Sequence, residues 1–136
     1  MQKKVFKDEK PTFCRSQLRA IHDTMDILSG KWKITIIGCL HFGTKQFMDL
    51  LREVEGIGPK MLSKELHELA INGLVNRTVQ DTRPITVKYE LTDYGTTLRP
   101  IILAMATWGT EHRKKIITGD EHFEKTESVD RENAYQ

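Results

Sequence analysis

Gly56-Ile57-Gly58-Pro59-Lys60-Met61-Leu62-Ser63-Lys64-Glu65-Leu66-His67-Glu68-Leu69-Ala70-Ile71-Asn72-Gly73 carries more structural information than any other segment of the chain. Its two leading glycines allow a tight turn. Pro59 follows, and proline suits the first position of a helix because its missing N–H is not needed there. Leu62, Leu66, Leu69 and Ala70 then recur at helical spacing, and Asn72-Gly73 supplies a stop. The spacing predicts a helix over 59–72. Its opposite face holds Lys60, Ser63, Lys64 and His67 at i, i+3, i+4 and i+7, all able to hydrogen-bond, with Glu65 and Glu68 on the flanks. Taken alone, such a face is ordinarily a solvated one; the neighbouring segments change its meaning.

Just upstream, Thr44 is a candidate cap and Phe47, Leu50, Leu51 and Val54 form an apolar stripe, which predicts a helix over 44–54. Further back, Leu18, Ile21, Met25 and Leu28 predict a helix from about Gln17, stopped near Gly30. Ser29 could cap a second helix starting near Lys31, with Trp32, Ile36, Ile37 and Leu40 on one face and His41-Phe42-Gly43 as its break. Downstream of Gly73 the period becomes two. Val75 and Val79 lead to the turn Gln80-Asp81-Thr82-Arg83-Pro84, and Ile85, Val87, Tyr89 and Leu91 alternate with Thr86, Lys88 and Glu90. That pattern is a β-hairpin with one buried face and a projecting tip. Thr92 can cap a last helical region whose apolar face is Leu98, Ile101, Ile102, Met105 and Trp108. Pro100 should break or kink it near Arg99, and Arg113-Lys114-Lys115 suits a helix C-terminus.

Helix, helix, helix, tight turn, helix, hairpin and long helix is the order of a winged helix-turn-helix. The expected fold class is therefore mostly α with a small β-hairpin (α+β), with additional helices at both ends. In such an order the 44–54 helix packs across the 59–72 helix, whose far face can enter the ~12 Å major groove of B-DNA. Lys60, Ser63, Lys64 and His67 become candidate contacts to phosphates and base edges. Arg83 at the hairpin tip and Lys88 on its solvent face are candidate wing contacts, and Lys45 and Gln46 are candidate phosphate contacts at the start of the 44–54 helix. Lys31 and Lys33 are weaker candidates, equally well read as solvated charge.

Composition sets the frame. With 136 residues, 38% hydrophobic and 29% charged, the chain is sized for one domain with tails. Apolar runs are too short for a membrane-spanning helix, and no apolar segment follows the basic start as in a signal peptide. Two cysteines, Cys14 and Cys39, are too few for a disulfide scaffold and fit a reducing, cytoplasmic location. The formal net charge of +2 hides an asymmetry: residues 119–136 carry six acids and two bases, leaving 19 bases against 13 acids in residues 1–118. We expect a flexible arm over 1–13, a DNA-binding domain with dimerising helices over 14–118, and a disordered acidic tail over 119–136.

The sequence gives no ground for catalysis. It lacks P-loop, GxGxxG, GxSxG and HExxH patterns. None of its five histidines pairs with Cys or another His at metal-ligand spacing, so neither a metal nor a cofactor is expected. A thiol redox catalyst is disfavoured by the lack of C-x-x-C. A protein-interaction module, with the Lys60 and Lys64 face merely solvated, is the alternative from a different class.

The chain also resembles the HxlR-type regulators, winged-helix proteins related to the MarR group. The resemblance runs through Gly30-Lys31-Trp32-Lys33, Phe47-Met48-Asp49-Leu50, Gly56-Ile57-Gly58-Pro59-Lys60-Met61-Leu62-Ser63 and Leu66-His67-Glu68-Leu69. It continues through Asn72-Gly73-Leu74-Val75-Asn76-Arg77, Val87-Lys88-Tyr89-Glu90-Leu91-Thr92-Asp93-Tyr94-Gly95 and Trp108-Gly109. Two departures stand out: Cys14-Arg15 where the family usually has Cys-Pro, and Gly58 where it usually has Ser. The resemblance implies bacterial, homodimeric regulators of transcription, joined through their terminal helices and bound to palindromic double-stranded operators. Here the joining residues would include Leu18, Ile102, Met105 and Trp108. It also implies that Cys14 stands where several members carry a thiol sensing oxidants or electrophiles, and the adjacent Arg15 is expected to favour its thiolate. Cys39, on an apolar helix, is expected to be a small buried hydrophobe. Intersubunit Cys14–Cys14 and Cys14–Cys39 bridges both remain open.

Overall fold

The helix expected over 59–72 forms as α4 (Pro59–Ile71), with Gly58 as its N-cap and Pro59 at its first turn. The Leu62 N–H donates to the Gly58 carbonyl at 2.9 Å, opening the helical ladder. At the other end Gly73 takes φ 72°, a left-handed conformation that glycine adopts without steric cost, and its N–H donates to the Ala70 carbonyl. The computed structural model describes residues 14–118. The expected arm (1–13) and acidic tail (119–136) lie outside the described residues.

Around α4 the described chain runs α1 (Arg15–Ile27), α2 (Lys33–Leu40), β1 (Lys45–Gln46), α3 (Phe47–Glu53), α4, β2 (Val75–Gln80), β3 (Thr86–Leu91), α5 (Asp93–Thr96) and α6 (Arg99–Thr118). The sheet is antiparallel with strand order β1-β3-β2. Its register pairs Lys45 with Tyr89, Gln46 with Lys88, and Val75 through Gln80 with Leu91 through Thr86. This is a winged helix-turn-helix with added terminal helices, the expected fold class. The core lies where α2, α3, α4 and the base of the sheet meet: Ile36, Ile37, Leu40, Leu50, Val54, Ile57, Leu62, Leu66, Leu69, Leu74, Val75 and Tyr89. Each such side chain contributes about 1.5–3 kcal/mol by leaving water.

Four local expectations are corrected. Ser29 does not cap α2; the N-cap is Trp32, without a side-chain cap bond, because Gly30 turns the chain at φ 82° and delays the helix to Lys33. Thr44 does not start α3 either. Lys45 and Gln46 stay extended and pair with β3, and the helix begins at Phe47 behind a Gln46 N–H that donates to Asp49 Oδ2 at 3.2 Å. The sheet thus satisfies backbone groups that a longer helix would have satisfied internally. The hairpin buries only its base: Val75 and Tyr89 are enclosed, whereas Val79 and Ile85 are 53% and 68% exposed. Finally, Glu65 is a buried member of α4 rather than a flanking charge.

Thr92 meets its expectation and does more. Its Oγ1 accepts from the Gly95 N–H at 2.9 Å, capping α5, and donates to the Gly73 carbonyl at 2.6 Å, tying the end of α4 to the start of α5. Gly95 cannot carry a side chain, because a Cβ there would overlap the Leu74 carbonyl. The predicted interruption near Arg99 is real: α5 ends at Thr96, and Pro100 is the second residue of α6.

Candidate nucleic-acid interface

Lys60, Ser63, Lys64 and His67 all lie exposed on α4, opposite the buried Leu62, Leu66 and Leu69. The helix cannot roll to hide them without exposing its leucines, so the polar row is held outward by the core. Beside it, β2 and β3 stand as a wing. Arg83 is exposed in the turn between them, next to a cis Arg83–Pro84 peptide. Lys88 is half-buried on β3, the central strand, opposite Gln46 on one side and Thr78 on the other.

The two candidates at β1 sit differently from their expectation. Lys45 Nζ donates to Glu53 Oε1 at 2.8 Å, and the carboxylate holds the Lys45 pKa above the ordinary lysine value. Gln46 is half-buried as the cap of α3. Of the two weaker candidates, Lys31 is exposed with its ammonium 4.5 Å from the Trp32 ring centroid. Lys33 is no surface charge at all. It is buried, with Nζ 2.6 Å from both Glu65 Oε2 and Glu68 Oε2. Burial opposes its charge, but the two carboxylates outweigh burial and raise its pKa. Glu68 is correspondingly held below the ordinary carboxylate value, chiefly by Lys33.

Sequence reading missed Arg77. It is exposed on β2, in register with Tyr89, and joins Ser63, His67 and Tyr89 in lining a cleft of about 160 Å³ between α4 and the wing. Arg77 shares the strand phase of Val75 and Val79, which the alternation marked as the buried face, and so it was passed over.

Cys14 is exposed and stands at the N-cap of α1. Its Sγ lies 2.9 Å from Ser16 Oγ, and its N–H donates to Gln17 Oε1 at 3.0 Å. Its pKa is lowered first by the Ser16 hydroxyl and then by the Gln17 backbone. The expected agent, the Arg15 cation, is not the cause. Cys39 is half-buried against the core, and burial raises its pKa. Leu18, Met105 and Trp108 are exposed in the single chain, and Ile102 is half-buried against the core.

Among the described residues no cluster of His, Cys, Asp or Glu could hold a metal ion, and no helix is long and apolar enough to cross a membrane.

Comparison with known proteins converges on one family. The model of the HxlR-like helix-turn-helix family matches residues 27–117. The HTH-type transcriptional regulator YtcD of Bacillus subtilis is 36% identical over 110 residues, covering 81% of this chain and 86% of that protein. Among solved structures, the redox regulator HypR in its reduced form superposes with a TM-score of 0.68 at 35% identity, covering 73% of this chain and 98% of that one. The reduced form of the transcriptional regulator YodB from B. subtilis superposes with a TM-score of 0.58 at 32% identity, covering 71% and 91%.

Proposed function

The chain belongs to the HxlR-like helix-turn-helix family of transcriptional regulators, and from that premise we propose that it is a homodimer reading a palindromic double-stranded DNA operator. The observation that carries this reading is the outward row Lys60, Ser63, Lys64 and His67 on a helix whose reverse side is locked into the core. In the groove this row faces base edges and phosphates. The free N–H groups behind Pro59 point at the backbone. Arg83, Lys88 and the newly noted Arg77 lie on the wing side and bond phosphate or minor groove, while Lys45 and Gln46 are secondary because their groups are already engaged.

Dimerisation rests on the terminal helices. Neither α1 nor α6 buries a residue in the single chain, although both carry apolar rows that include Leu18, Met105 and Trp108. A two-fold axis through them sets two copies of α4 about 34–36 Å apart, one turn of B-DNA.

Selection of bound duplexes from a random pool tests the reading. A palindromic motif is expected, with binding that weakens steeply as salt rises. Lys64→Ala and His67→Ala should each weaken binding about 5- to 100-fold without lowering thermal stability. Enrichment of no motif by a dimeric sample at low salt would favour the protein-interaction alternative.

Control by Cys14 is the finer part of the proposal. It is supported by the exposed, acidified thiol and by a related fold solved as a redox regulator in both reduced and oxidised forms. Operator affinity of the parent should change after a thiol oxidant while that of Cys14→Ser does not. Equal responses remove Cys14 from the mechanism.

A further inference from the structure

We infer that Lys33 is a positioning residue for DNA binding: buried beneath the reading helix, it draws Glu68 away and so leaves Lys64 unpaired for DNA. This rests on the DNA-reading proposal and adds a residue that never touches the operator.

The argument begins with the charge of α4. Its sequence holds two lysines, Lys60 and Lys64, and two glutamates, Glu65 and Glu68, so the helix by itself brings no net positive charge to DNA. The spacing makes this worse. Lys64 and Glu68 are i and i+4, neighbours on one helix face whose opposite charges ordinarily pair. A Lys64 ammonium held by Glu68 would have to be released before it could meet a phosphate, and Glu68 would stay behind to repel it.

The geometry removes that competitor. Lys33 reaches from α2 beneath α4 and places Nζ 2.6 Å from Glu65 Oε2 and 2.6 Å from Glu68 Oε2. Its side chain is 5% exposed and that of Glu65 is 9% exposed, while Glu68 is 39% exposed at the margin. Glu65 Oε2 has no aligned hydrogen bond, so the Lys33 ion pair is its compensation. Among the described residues Lys64 has no ion-pair partner, and Lys60 has none either. Adding the buried cation turns a neutral helix into one of net +1. It also fixes the roll of α4 on α2, since the two carboxylates lie one above the other along the helix and meet the same nitrogen.

Lys33→Met alone would strand the buried Glu65 charge and cost stability for reasons unrelated to DNA. The test therefore uses Glu65→Gln as reference, Lys33→Met/Glu65→Gln as the variant, and the same variant with Glu68→Gln added. Affinity for the selected duplex is measured across a salt series, with thermal unfolding as a control for folding. Removing Lys33 from the reference should weaken binding about 5- to 20-fold and lower the salt slope by about one ion, as expected for one phosphate-binding lysine lost to an internal partner. Adding Glu68→Gln should recover most of that loss, whereas Glu68→Gln in the parent should change affinity less than about twofold, because Lys33 already neutralises it. A Lys33 variant that binds like its reference, or a loss that Glu68→Gln does not restore, overturns the inference while Lys64→Ala still weakens binding. A parent that enriches no duplex overturns the DNA reading and this inference with it, and that outcome is told apart by appearing before any variant is made.

Discussion

The reading head and the terminal helices spend their apolar residues in opposite ways. Ile36, Ile37, Leu50, Val54, Leu62, Leu66 and Leu69 are sealed inside one protomer. By contrast α6 runs for 20 residues and α1 for 13 without one buried side chain, though Met25, Leu103, Met105 and Trp108 stand on them, the last 69% exposed. The head holds its shape by itself. The terminal helices carry apolar surface that a monomer leaves in water, and such surface ordinarily marks an interface. A self-contained core and apolar surface without an intrachain partner thereby fall to different parts of one short chain.

The sharpest way to break this contrast is to substitute on both sides of it. Leu66→Ala should cost about 2–5 kcal/mol in urea unfolding, the price of a cavity in a core that cannot collapse. That loss should be the same at low and high protein concentration. A loss under about 1 kcal/mol would mean that the head is far more plastic than its packing implies. Trp108→Glu should act next most strongly and elsewhere. Light scattering should report a monomer, operator binding should fall by at least about 100-fold as bivalent contact is lost, and the dependence of unfolding on protein concentration should vanish. A variant that remains dimeric would place the interface off α6.

The same contrast explains what was legible in the sequence. Inside the head, Pro59 and Gly73 marked both ends of α4, and the leucine period fixed which face is buried, so Lys60, Ser63, Lys64 and His67 followed directly. Thr92 announced α5 because a cap bond is local. Apart from the local misreadings at Ser29 and Arg15, what failed depended on contacts distant in sequence. A two-residue strand such as β1 has no period of its own and exists only because β3 lies beside it. Lys33 and Glu65 both read as surface charges, since each is costly to bury alone and only their meeting across α2 and α4 makes burial tolerable. Arg77 was hidden for a similar reason: its neighbours Ser63 and His67 come from another element.

A smaller effect probes the Lys33 ion cluster through pH. Glu68 titrates below the ordinary 4.5 in the folded protein, so its contribution is complete above that value and is lost as pH falls through the depressed one. Lys33 titrates above the ordinary 10.5, so its contribution is complete below 10.5 and disappears as pH rises through the raised value. The contribution of this ion cluster should therefore be flat between these limits and decline on both sides. Urea midpoints measured against pH should show Glu68→Gln with a shallower acid limb and a smaller alkaline decline, since Glu68 is one of the two carboxylates that raise Lys33. An acid limb as steep as the parent's would mean that the Glu68 pair is too solvated to matter.

The two thiols allow the finest comparison, since it needs no change in stability at all. Cys14 belongs to the exposed terminal region and Cys39 to the margin of the core, and their surroundings push them opposite ways from the ordinary thiol value of 9.0. At Cys14 the Ser16 hydroxyl and the Gln17 backbone favour the thiolate, whereas at Cys39 burial and the Glu53 charge disfavour it. Because only the thiolate attacks an alkylating reagent, the parent should react in two phases whose separation widens as pH falls from the raised Cys39 value to the lowered Cys14 value and is constant below it. Cys14→Ser should remove the fast phase, and Cys39→Ser the slow one. A single phase, or a fast phase that survives Cys14→Ser, would show that Cys14 is not the more reactive thiol. The place to look for control of this regulator would then move from the end of α1 to the core margin around Cys39.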